Sequence, residues 1–480
     1  MTVQENPTRT AEALNKGVGL MQAGRIGEAE AIFRRVLDAE PENADALHLL
    51  GIAMRQSGRP KDAVELIKRA IALNPRQPSY ISNLGTALEA AGEKDAALAA
   101  YRRAIVLRPA FPEAYFKLGN LLQNSGKSAL AAEALRRAVE LKGDQAPWHL
   151  LLGTALAATA KHAEAAASLR RAVELDPALA DAHHKLGVAL LALGRKDEAF
   201  AAYRRAVDVK ADHDPALFGL STMMLERGDA AGLVKLCDEI IARDPGNRRM
   251  VSSKIVALTE LGRRDEAKAL FDFDRFLRPV EVATPPGYPD LRAFNAALAD
   301  EVTHHPTLVF EKSGHATRFG GHTGDILINP GPAVAALDKL IRGAVEQYSR
   351  TLDCPPDHPV LLAKLAQWRL QSWAVVMDTQ GHQMPHIHPA AWLSGVYYVR
   401  IPVHENPREP HAGWIEFGRP QDNMFAKAEP EVRLYRPKEG LMLLFPSYLY
   451  HMTVPIETKE QRISIAFDVV PKDKPAAGPY

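Results

Sequence analysis

The sequence predicts a multidomain protein: an N-terminal all-α solenoid, then a C-terminal mainly-β jelly roll with flanking helices. Three observations carry that prediction. Glycine recurs about every 34 residues through the first half of the chain. A proline-rich stretch, LRPVEVATPPGYPDLRAF, then breaks the helical pattern after Phe276. Beyond Lys364 the apolar period shortens to two, with β-branched and aromatic residues set between turn signals.

The first glycine ladder is Gly17, Gly51, Gly85, Gly119, Gly153 and Gly187. A second runs Gly24, Gly58, Gly92, Gly126, Gly194, Gly228 and Gly262, with Ala160 in the slot that lacks glycine. Alanine repeats in the same phase at Ala29, Ala63, Ala97, Ala131, Ala165, Ala199 and Ala267, and Pro41, Pro75, Pro109, Pro177 and Pro245 close units. Each ladder has a physical reason. A small residue lets two helices approach closely, a glycine at positive φ relieves the turn between them, and proline cannot continue the second helix. On these residues the region resembles the tetratricopeptide (TPR) proteins over residues 11–276, in about eight units. The resemblance implies stacked helical hairpins with an extended concave surface suited to a peptide or protein segment. Asn83, Asn120, Gln123 and Asn124 are candidate groove residues, or else ordinary exposed polar positions. Ser221 and Ile255 replace the first-ladder glycine in the last two units, which points to docking of that end or to simple divergence. The repeated Arg-Arg pairs at 102–103, 136–137, 170–171 and 204–205 read as a solvated helix face.

Composition narrows the function classes. Among 480 residues, Lys+Arg number 59 and Asp+Glu 58. A near-zero net charge argues against a nucleic-acid or anionic-membrane partner held by bulk charge. No apolar run reaches the length of a membrane span, and the polar start MTVQENPTRTAEA is unlike a secretory signal. Cys237 and Cys354 lie far apart and read as free thiols, so a cytoplasmic location is expected. The oligomeric state is not indicated.

Residues 1–10 are expected to be disordered, 277–300 to form the proline-rich linker, 301–472 the second domain, and 473–480 a flexible tail. Within the second domain, 290–303 and 333–353 keep helical spacing. Strand candidates follow, beginning at Trp368, Leu393, Gly413, Leu441 and Arg462. Short strands so spaced predict a sandwich or jelly roll.

Histidine is unevenly placed in that domain. His382, His386 and His388 precede one strand, and His451 follows another. Imidazoles at i and i+2 in extended chain project to one side, and neutral imidazole suits Fe(II), Zn(II) and Cu. Arg462 and Ser464 stand eleven and thirteen residues beyond His451, again at i and i+2. Arginine offers a charged planar fork for a carboxylate. A metal at one end of a pocket and Arg-x-Ser at the other suit a dicarboxylate that chelates the metal and anchors its far end.

These residues resemble the Fe(II)/2-oxoglutarate-dependent oxygenases, most closely a bacterial and phage group. The shared pieces are His386-Ile-His388-Pro, Leu393-Ser-Gly-Val-Tyr-Tyr, Leu444-Phe-Pro-Ser with His451, and Arg462-Ile-Ser464, spanning about residues 300–472. The resemblance implies a double-stranded β-helix, with Fe(II), 2-oxoglutarate and O2 as reactants. It assigns His386 and His451 as metal ligands and Arg462 as the 2-oxoglutarate clamp. The usual site has two histidines and one carboxylate, and His388 occupies the carboxylate slot. Three roles are open to it: a third ligand, a residue outside the metal's inner ring, or the first ligand with Ala390 in the carboxylate slot, as in the iron halogenases. The site set read from the sequence is His386, His388 and His451 for metal and catalysis, with Arg462, Ser464 and Tyr398 for 2-oxoglutarate. Tyr397 and Tyr398 point to opposite faces, one to core and the other to the co-substrate. Glu416 is a candidate displaced carboxylate, and Asp378 a strand-end turn residue. His382 reads as a loop histidine, Trp373 and Trp392 as packing, Phe445-Pro446-Ser447 as the turn before His451.

The expectation from residues and resemblance together is a dioxygenase that hydroxylates a peptide or protein presented by the repeats. The alternatives are an interaction scaffold with a non-catalytic jelly roll, and a small-molecule oxygenase.

Overall fold

The computed structural model describes residues 7–310, 316–402, 410–458 and 460–472. It divides into two compact units, Met1–Val209 and Lys210–Tyr480. Residues 7–10, expected to be disordered, are helical as the start of Pro7–Gln22, and residues 1–6 lie outside the described residues. The expected tail at 473–480 lies outside the described residues.

The first unit is a run of helical hairpins: Pro7–Gln22 with Ile26–Ala39, Ala44–Gln56 with Pro60–Leu73, Pro78–Ala90 with Lys94–Leu107, Pro112–Asn124 with Ser128–Leu141, Ala146–Ala158 with His162–Leu175, and Ala180–Ala192 with Lys196–Val209. Each first-ladder glycine lies under a large side chain of its partner helix. A Cβ added to Gly85 would come within 2.6 Å of Tyr101, and one on Gly187 within 2.5 Å of Tyr203. The other ladder partners, Phe33, Ile67, Leu135 and Leu169, are buried in the same way. Surface pairs such as Arg136–Glu164 and Arg170–Glu198 join successive units from the repeated arginines.

The second ladder is conformational rather than steric. Gly24, Gly58, Gly92, Gly126 and Gly194 all have φ between 73° and 86°, with open space where a Cβ would stand. Ala160 adopts φ 58° in the same slot, a left-handed conformation that costs a non-glycine residue about 1–2 kcal/mol. Ala160→Gly is therefore expected to stabilise the array by roughly 1 kcal/mol, net of glycine's extra unfolded-state entropy. Thermal unfolding followed by circular dichroism checks it, and an unchanged or lower midpoint contradicts it.

The second unit opens with the last two hairpins, Asp214–Glu226 with Ala230–Arg243 and Arg248–Glu260 with Arg264–Leu270. The division at 209/210 thus falls inside the repeats. Ser221 is fully buried and donates to the Leu217 carbonyl at 2.9 Å. In the partner helix the smaller Cys237, also fully buried, stands where Tyr203 stood, which makes room for the Ser221 side chain. At Ile255 the partner helix is only 7 residues long, against 14 in Ala230–Arg243. The chain leaves the helix at Phe271, and Phe271, Phe273 and Phe276 pack into a β-sheet core with Leu443, Phe445 and Tyr448. The register drifts where the repeats stop packing on repeats and pack on strands instead.

The strands are β1 (Arg278–Glu281), β2 (Val309–Phe310), β3 (Thr317–His322), β4 (Trp368–Gln383), β5 (Leu393–Arg400), β6 (Ile415–Phe417), β7 (Arg433–Tyr435), β8 (Leu441–Pro446), β9 (His451–Thr453) and β10 (Arg462–Pro471). Among the described residues they form an antiparallel sheet ordered β1-β8-β5-β10-β4-β3-β2 and a smaller one ordered β7-β6-β9. The stretch expected as a linker is therefore built into the fold. β1 pairs with β8, and as an edge strand it tolerates Pro279, which has no N–H to donate.

Alternation along each strand separates two environments. In β10, Ile463, Ile465, Phe467 and Val469 enter an apolar core with helices Leu291–Thr303 and Pro332–Thr351. The other parity, Arg462, Ser464, Ala466 and Asp468, faces the opposite side of the sheet. There the small sheet packs, through Ile415 and Phe417 against Tyr398, Leu443 and Phe445. Two antiparallel sheets with helices covering one outer face make the jelly roll the sequence predicts.

Candidate metal centre

The site lies between the two sheets. His386 falls in the extended segment joining β4 to β5 and exchanges backbone hydrogen bonds with His451 at the start of β9, both 3.1 Å. That bridge sets two imidazoles side by side, their ring centres 4.2 Å apart. His388, two residues on, projects to the same side, 5.1 Å from each of the other rings. One nitrogen from each of the three lies within 4.8 Å of the others, and no aspartate, glutamate or cysteine joins the cluster among the described residues.

Each ring is held through Nδ1. That of His386 donates to the Met384 carbonyl at 2.8 Å, and that of His451 to the Leu449 carbonyl at 3.1 Å. That of His388 donates to the Asp468 carboxylate at 2.8 and 2.9 Å. Fixing the proton on Nδ1 leaves Nε2 as the lone-pair nitrogen, the usual way a metal-binding histidine is oriented. Burial pushes the His386 imidazole down to about 3, with His388 adding to the effect. Burial also holds His451 well below its ordinary value, with His386 and His388 contributing. Both rings are therefore neutral and need lose no proton to bind a cation.

The same cavity is lined by Gln383, Tyr398, Thr453, Arg462 and Ser464. Arg462 is 3% exposed. One of its Nη donates to the Gly413 carbonyl, while its Nε has no acceptor and no carboxylate pairs with it among the described residues. Burial lowers its affinity for the proton, and only Tyr398 opposes that. The guanidinium sits over the Tyr398 ring, 5.3 Å from its centre. Burial raises the Tyr398 hydroxyl to about 12. A buried cation without an anion is costly, and this one sits where a carboxylate ligand would compensate it. The donors present fit the groups at issue: imidazole nitrogens for a divalent transition metal, and guanidinium with two hydroxyls for an anionic co-substrate.

Residues 371–468 match a family model described as "Putative 2OG-Fe(II) oxygenase", and residues 20–88, 90–126, 112–145, 161–194 and 180–213 match tetratricopeptide repeat models. By these matches the chain joins tetratricopeptide repeats to a domain similar to that oxygenase family. No curated protein matches it. Similar solved structures include the C-terminal part of a TPR repeat-containing protein from Cytophaga hutchinsonii, 15% identical over 50% of this chain and 98% of that one, at a TM-score of 0.44. YrrB, "a TPR protein with an unusual peptide-binding site", is 22% identical over 38% and 95%, at 0.36. MamA from Desulfovibrio magneticus RS-1 is 21% identical over 36% and 97%, at 0.34.

Not every sequence candidate reaches the histidine-lined cavity. Tyr397 turns into the helix-covered core and donates to Asn295 at 2.6 Å, which leaves Tyr398 for the cavity. Glu416 pairs with Arg419 at 2.5 Å and is absent from the histidine cluster, so it is not a displaced metal carboxylate. His382 lies beside Phe319 on the β3–β4 edge, and the Asp378 side chain is outside the described residues. Trp392 is core, donating to the Val360 carbonyl at 2.8 Å. Trp373 does more than pack, because it lines the cavity and stacks on His388 with ring centres 5.8 Å apart. Ser447 shapes the turn as expected: it caps the Ala391 carbonyl, and its own carbonyl accepts from His388 N at 2.9 Å.

The sequence reading missed Asp468. The signal was available, since continuing the Arg462–Ser464 alternation reaches it. Arg249 was missed with no local signal. It is partly buried, pairs with Asp214 at 2.8 Å and donates to the Tyr450 hydroxyl at 3.3 Å, tying the last repeats to the residue before His451. In the repeat unit, Asn83 is engaged by His48 and Lys117, while Asn124 is exposed and the Gln123 Oε1 is buried without a partner.

Proposed function

We propose that the chain is an Fe(II)- and 2-oxoglutarate-dependent dioxygenase that hydroxylates a peptide or protein segment presented by its repeats. The observation that carries this reading is the pairing, in one cavity, of three Nε2-directed histidines with a buried arginine that lacks a counter-charge. His386, His388 and His451 would hold Fe(II), which with 2-oxoglutarate and O2 supplies the oxidising power to hydroxylate an unactivated C–H bond, releasing succinate and CO2. Arg462 grips the far carboxylate of 2-oxoglutarate, and Ser464 and the Tyr398 hydroxyl add donors to it. Trp373, Val375 and Phe445 contribute apolar surface to the cavity wall. The tetratricopeptide matches and the polar side chains Asn120, Gln123 and Asn124 support a peptide-holding role for the repeats.

The full-length protein, given Fe(II) and 2-oxoglutarate without oxygen, should develop a visible charge-transfer band. On admitting O2 it should form succinate. Absence of both band and succinate refutes the enzyme reading.

A further inference from the structure

Asp468 is a buried carboxylate, 2% exposed, on the cavity-facing parity of β10. Its partners are the His388 Nδ1 at 2.8 and 2.9 Å and the Ser394 hydroxyl at 2.6 Å. No lysine or arginine pairs with it among the described residues. Arg462 lines the cavity itself, whereas Asp468 stands behind His388, the ring that does line it. The three histidines differ in their partners: the Nδ1 of His386 and His451 donate to backbone carbonyls, and only that of His388 donates to a carboxylate.

We infer that Asp468, acting through His388, supplies the negative charge that a carboxylate ligand ordinarily brings to such a metal. The inference rests on His388 being a metal ligand. A carboxylate accepting the Nδ1 proton draws electron density toward Nε2 and makes His388 the strongest donor of the three. It also balances a divalent cation one imidazole ring away. Asp468 is then a positioning residue, and the carboxylate missing from the sequence motif is supplied from β10, one ring further from the metal.

Asp468→Asn separates charge from shape, because the amide oxygen still accepts from Nδ1 while the charge is gone. Fe(II) and Co(II) affinities of the full-length protein would be measured by titration. The position of the Fe(II)–2-oxoglutarate band would be read alongside. The expected result is an affinity loss of about 10- to 100-fold, a band moved to shorter wavelength as the metal becomes poorer in electrons, and an unchanged far-UV spectrum. Asp468→Asn placed on a His388→Ala background should cause no further loss, since the effect passes through that ring. Native affinity with an unmoved band in Asp468→Asn overturns the inference. So does an additive loss in the double variant. If the unaltered protein binds neither metal, the metal reading itself has failed, and this inference with it.

Discussion

His451→Ala is expected to abolish the Fe(II)–2-oxoglutarate band and to weaken metal binding by more than about 100-fold, beyond the loss typical of removing an outer hydrogen-bond partner. The fold should survive. His451 pairs with His386 through backbone atoms, which alanine retains, and the neighbouring Tyr450 still meets Arg249. The ring packs against Phe445, with centres 4.7 Å apart, so alanine leaves a small cavity costing on the order of 1–2 kcal/mol. Metal titration with circular dichroism separates the outcomes. A folded variant that binds Fe(II) as tightly as the native protein would exclude His451 as a ligand.

Arg462→Met should move stability and ligand binding in opposite directions. Methionine has similar bulk, and replacing an uncompensated buried charge by an apolar side chain stabilises by roughly 1–4 kcal/mol. The lost bond to the Gly413 carbonyl offsets about 1 kcal/mol of that. The metal-free variant should therefore melt at or above the native temperature. Affinity for 2-oxoglutarate should fall at least about 30-fold, since removing one partner of a buried charged pair costs about 2–5 kcal/mol. Metal binding should be untouched. An arginine serving only the fold would give the reverse, a lower melting temperature with 2-oxoglutarate binding intact. Calorimetry on the metal-free protein and 2-oxoglutarate titration in the presence of Fe(II) read the two effects independently.

How much of this was legible beforehand depended on how local each cause is. The repeats were legible because the positive φ at Gly92 recurs in all eight units and the steric closeness at Gly85 in the first six. His386, His388, Arg462 and Ser464 were legible because extended chain puts i and i+2 on one side. Domain limits were harder. The strand Arg278–Glu281 looked like linker because Pro279 argues against a strand interior, and only its place at a sheet edge makes proline acceptable. The break at 209/210 was hidden because the last two hairpins keep repeat spacing in sequence while the phenylalanines just after them, and Val251 within them, pack into the β-sheet core.

The sequence by itself determined the period of the array, the change to strands, and the residue types that fit a metal beside a carboxylate ligand. Those properties follow from spacing and side-chain chemistry, which are written along the chain. Tertiary structure alone decided which parity of β10 faces the cavity, that Tyr398 rather than Tyr397 joins Arg462, and that Asp468 reaches His388 across 80 residues of sequence. The physical reason is that a buried charge is defined by what surrounds it, and its surroundings come from strands that meet only when the sheets close.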